Sequence, residues 1–121
     1  MTALVVPGAS AYLAALGLTI AIESPVYGLL LRAIAGTPVR RGIVVGIAVN
    51  LISHPVAFLV LFPRLSPRLG GLAALALVEV AAVSVESMLL WMRRRRDPLA
   101  LLGISYLANA ASLSLGLLLL R

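Results

Sequence analysis

Residues 42–62 read GIVVGIAVNLISHPVAFLVLF, twenty-one positions without an aspartate, glutamate, lysine or arginine. A helix needs about 20 mostly apolar residues to cross the hydrocarbon of a bilayer. This stretch therefore has the length and composition of a transmembrane helix. Working outward, residues 9–34, 71–92 and 98–120 have the same character. The connections fall at 35–41, 63–70 and 93–97. Gly36-Thr37-Pro38 is expected to end the first helix, and Pro63 with Pro67 to end the second. The expected fold is all-α and integral to a membrane, with four transmembrane helices in one domain spanning residues 1–121.

Composition agrees. Hydrophobic residues make up 62% of the chain and charged residues 12%, about half the charged share of an ordinary soluble domain. That balance excludes a water-soluble globular domain. The chain has no cysteine, so disulfides, thiolate metal sites and thiol catalysis are excluded as well. Its net charge of +6 comes from arginines gathered in the short connections, which makes it a topology signal and not a nucleic-acid one. Arg40, Arg41 and the run 93–96 lie in the first and third connections, with Arg32 close by. The other side carries Arg64, Arg68 and Arg121. Basic residues favour the cytoplasmic face, so both termini are expected outside, in a prokaryotic-type inner or plasma membrane.

The chain also repeats itself. Ala21-Ile22-Glu23-Ser24 is echoed by Ser84-Val85-Glu86-Ser87, and Asn50-Leu51-Ile52-Ser53 by Asn109-Ala110-Ala111-Ser112. Arginine follows each glutamate by nine residues, at Arg32 and Arg95. Two helical hairpins, 9–62 and 71–120, would then form a parallel repeat about an axis along the membrane normal. At 1.5 Å per residue, nine residues place Glu23 and Glu86 about 13 Å from their arginines. Asn50 and Asn109 fall at about 13–17 Å by the same count. In a hydrocarbon core of about 30 Å, all four come near the midplane.

Helical spacing sorts these residues onto faces. Gly46, Asn50, Ser53 and Ala57 share a stripe in the second span, with His54 at its edge. Ser105, Asn109, Ser112 and Gly116 repeat that spacing in the fourth. Gly17, Ala21, Ser24 and Gly28 form a small-residue stripe in the first, and Leu75, Glu79, Ala82 and Glu86 a face of the third. Small residues allow close helix approach in lipid, so these stripes are expected to face inward. Asparagine and serine there also serve simply as hydrogen-bonding links between helices. A carboxylate at the bilayer centre is harder to place, because it has to be paired, protonated or in contact with an ion. The candidate ion- or proton-binding residues are Glu23, His54, Glu79, Glu86, Asn50 and Asn109.

Glu79 and Glu86, seven residues apart, are similar in spacing to a glutamate pair in bacterial diacylglycerol kinase, a small membrane enzyme. That family's intervening asparagine is Ala82 here, and its charged surface helix and three spans have no counterpart. Three functional classes follow from the sequence. The first is a cation- or proton-handling transporter or channel subunit, since carboxylate, amide and hydroxyl oxygens suit hard cations and Glu with His suits a proton relay. The second is a non-catalytic accessory or assembly subunit of a larger membrane complex. The third is a membrane-embedded enzyme. No cofactor is expected beyond a bound cation. The expected partners are the lipid bilayer and either a second copy of the chain or another membrane subunit, with no nucleic acid.

Overall fold

The computed structural model describes residues 9–95 and 97–119. Helix α1 spans Ala9–Ala35, α2 Val39–Pro55, α3 Phe62–Leu69, α4 Gly71–Arg94 and α5 Pro98–Leu119, and a π-helical segment, Val56–Leu61, joins α2 to α3. No strand occurs among the described residues. Four continuous helical stretches are long and apolar enough to cross a membrane: Tyr12–Ala35, Val39–Leu69, Gly71–Arg94 and Pro98–Gly116.

The first break falls where the sequence puts it. Gly36 adopts a left-handed φ of 68°, and its N–H returns to the Arg32 carbonyl at 3.1 Å. This is the glycine-capped helix end that only a residue without a Cβ takes up cheaply. The expected break at Pro63 and Pro67 does not occur. The helix runs on to Leu69 and turns at Gly70, whose φ is 84°. The physical reason lies in the π segment, where the Phe62 N–H reaches back five residues to the Ala57 carbonyl. That register change puts Pro63 in the opening turn of α3, the helical position that tolerates proline best. The third connection turns through two left-handed residues, Arg95 and Asp97.

Helices α1 and α2 pack backbone to backbone. A Cβ added at Gly42 would lie 2.8 Å from the Gly28 Cα, and one at Gly46 would lie 3.0 Å from the Ser24 Cα. The interior is layered. Tyr27, Leu31, Val49, Leu90, Leu101, Ile104 and Ala108 form one apolar cluster toward the arginine-rich end. Ala57, Val78 and Ala82, with Phe58, Leu61, Phe62 and Leu65, form a second toward the α3 end. Helix α4 shows the order in one line, since its buried residues run Ala74, Val78, Ala82, Glu86, Leu90. The carboxyl of Glu86 therefore lies between the two clusters, at the level of Glu23, Ser24, Asn50, Ser53 and Asn109, all of them buried.

Candidate functional site: a buried carboxyl pair

The middle layer draws polar residues from all four long helices. Glu23 is 1% exposed and Glu86 is 0% exposed, so both carboxyls are removed from any surrounding medium. Ser112 on α5 donates its hydroxyl to Glu23 Oε1 at 2.5 Å. Asn109 donates an amide N–H to Glu86 Oε2 and another hydrogen bond, at 2.8 Å, to the Ser105 carbonyl one turn back. Asn50 makes the matching bond in α2, to the Gly46 carbonyl at 2.9 Å. Each glutamate faces the asparagine of its own hairpin and the serine of the other. Glu23 meets Asn50 and Ser112, Glu86 meets Asn109 and Ser53, and the two carboxyls neighbour each other. Among the described residues, no arginine acts on either carboxyl.

The layer is incompletely satisfied. Among the described residues, Glu23 Oε2, Glu86 Oε1 and Ser24 Oγ are buried without a hydrogen bond. The Asn50 and Ser53 side chains face the carboxyls without closing onto those free oxygens. Buried polar atoms are rarely left unpaired. Two facing carboxyl groups in an apolar interior cannot both carry uncompensated charge, and a shared proton or a cation between them would relieve both deficits.

Of the six candidate residues, Glu23, Glu86, Asn50 and Asn109 come together in this layer. Glu79 is half-buried on α4, with Glu23 as the charged group that acts on it. His54 is buried, but it faces α1 instead. Its Nδ1 shares a 3.3 Å hydrogen bond with the Tyr12 hydroxyl, and its ring stacks on Phe58 with centroids 4.6 Å apart. The described residues contain no group of three or more histidine, aspartate or glutamate side chains placed to hold a metal ion.

Three participants went unnamed among the sequence candidates. Ser112 bonds to the glutamate of the other hairpin and Ser53 faces the glutamate opposite its own, and the Asn-x-x-Ser spacing repeated in α2 and α5 is their signal. Tyr27, fully buried one turn beyond Glu23, donates its hydroxyl to Ser105 Oγ at 3.3 Å and borders the layer on the arginine side. Nothing in the sequence distinguishes Tyr27 from a lipid-facing aromatic. No protein-family model, curated protein or solved structure matches this chain.

Proposed function

We propose that this chain is a small integral membrane protein that handles protons or small cations at the facing carboxyls of Glu23 and Glu86, as a transporter or a channel subunit. The observation that carries this reading is a pair of neighbouring buried carboxyls, each with one oxygen, Glu23 Oε2 and Glu86 Oε1, left without a partner. In lipid a charged or unsatisfied group of this kind is costly, and such groups mark ion and proton pathways. The shared neighbours support the parallel repeat, because exchanging Glu23 for Glu86, Asn50 for Asn109 and Ser53 for Ser112 leaves the set of residues around each carboxyl unchanged, although the hydrogen bonds differ. Four helices enclose little space, so a complete pathway would form with a second copy or another membrane subunit. The arginine-rich connections would face the cytoplasm.

Reconstitution into vesicles that trap a pH-sensitive dye tests the reading. An imposed potential should drive dye-reported proton flux, or flux of one small cation, through the unmodified protein. Glu23→Gln and Glu86→Gln should each assemble normally, since glutamine mimics a protonated carboxyl, and each should abolish the flux. Full flux in both variants would reduce the pair to packing. The second reading, an accessory subunit, draws on the Ser112 to Glu23 bond, which ties the two hairpins together. It is favoured by absence of flux combined with co-purification of a defined membrane partner. Orientation is checked separately: an impermeant thiol reagent should label Leu69→Cys from outside and Arg40→Cys only after permeabilisation.

A further inference from the structure

The arginine-bearing end of the bundle holds a cavity of about 510 Å³. Its polar wall is formed by Thr37, Arg41, Arg93, Arg94 and Asp97, over an apolar floor that includes Leu31 and Leu90. Three arginines face one aspartate, so the wall carries excess positive charge. Arg94 is fixed in place, donating from Nη2 to the buried Thr37 hydroxyl at 2.7 Å. The neighbouring Arg95 is engaged elsewhere, its guanidinium lying 4.7 Å above the Trp91 ring. A second cavity of about 130 Å³ adjoins the first along the groove between α2 and α4. Its walls are apolar, among them Val44, Ala48, Val49 and Leu89, and it shares Arg41, Val45, Leu90 and Arg93 with the larger chamber.

A polar, positive chamber opening into an apolar groove, with two arginines at the junction, has the form of an amphiphile with an anionic head. Guanidinium groups bind phosphate oxygens through directional, charge-assisted hydrogen bonds. We propose that this end of the bundle is a binding site for an anionic phospholipid, its phosphate at Arg41 and Arg93 and one acyl chain along the α2–α4 groove. The assignment rests on the membrane placement of the helices and is independent of the carboxyl pair.

Thermal unfolding of the purified chain in neutral detergent provides the test, with phosphatidylglycerol, phosphatidylcholine and glycerol 3-phosphate as probes. Phosphatidylglycerol should raise the melting temperature, and phosphatidylcholine at the same concentration should not. Combined Arg41→Gln and Arg93→Gln should raise the half-saturating concentration of phosphatidylglycerol by about tenfold or more. Combined Arg40→Gln and Arg95→Gln, which remove the same charge from outside the chamber, should leave it unchanged. Equal loss in both pairs would show diffuse charge attraction and overturn the site. Equal stabilisation by glycerol 3-phosphate would make it a site for a free phosphate and overturn the lipid assignment. Should the Arg41 and Arg93 variant not fold, Ala48→Phe, at an exposed position of the groove, should weaken phosphatidylglycerol binding on its own. Unchanged binding there would equally overturn the proposal. Prior extraction of the chain from washed membranes only by detergent checks the membrane placement separately.

Discussion

The two hairpins carry the same polar residues and are held together differently. In the first, α1 and α2 meet through glycine, with Gly42 against Gly28 and Gly46 against Ser24 and Tyr27. Asn50 there turns to its own helix backbone, and Glu23 takes its hydrogen bond from α5 of the other hairpin. In the second, Gly103 and Gly116 have open space where a Cβ would stand, and the link is the hydrogen bond from Asn109 on α5 to Glu86 on α4. One hairpin is joined by close backbone contact, and the other adds a polar bond to ordinary side-chain packing. The contact-joined hairpin leaves its glutamate free to reach across, and that reach ties the halves of the molecule together.

The largest effect that would break this comparison is steric. Gly42→Leu should separate α1 from α2, because the nearest obstruction is backbone and cannot rotate away; a loss of about 3 kcal/mol is expected. Gly103→Leu, in the other hairpin, should change stability little. Unfolding in graded denaturing detergent measures both, and equal losses would remove the distinction. A smaller effect separates the asparagines. Asn109→Leu takes away a donor to a buried carboxyl and should destabilise by about 1–3 kcal/mol. Asn50→Leu, whose donor serves its own helix, should cost less than half as much in the same assay. If the order is reversed, the second hairpin does not depend on its polar link. The smallest effect sharpens the tie between halves. Ser112→Ala should lower stability by about 0.6–1.5 kcal/mol. Ser84→Ala should fall within error, since that hydroxyl bonds only to the Val80 carbonyl of its own helix.

Much of this architecture is legible because apolar length and helical spacing are local properties. The stripe Gly46, Asn50, Ser53 and Ala57 is buried along its whole length. The small-residue stripe on α1 faces inward only in part: Ser24 and Gly28 are buried, while Gly17 and Ala21 are exposed, because α2 and α5 cover α1 through Glu23, Tyr27 and Leu31 instead. The run past Pro63 was not legible, since a π turn leaves no compositional mark and its register change is what accommodates the proline. The facing of His54 was equally hidden. Its partners, Tyr12 and Phe58, come from a helix far away in sequence and from the turn after Pro55, and nothing in the spacing of His54 from the glutamates points to either.

The layering of the interior has an electrical consequence. On the membrane reading, the carboxyl pair sits between two apolar clusters, so part of a transmembrane voltage would fall across each of them. A full traverse of the bilayer by one elementary charge is worth about 2.3 kcal/mol per 100 mV. A proton arriving at mid-depth would thus feel about half of that, on the order of 1 kcal/mol per 100 mV. On the proposed function, occupancy of Glu23 and Glu86 would then depend on membrane potential as well as on the proton concentrations at the two faces.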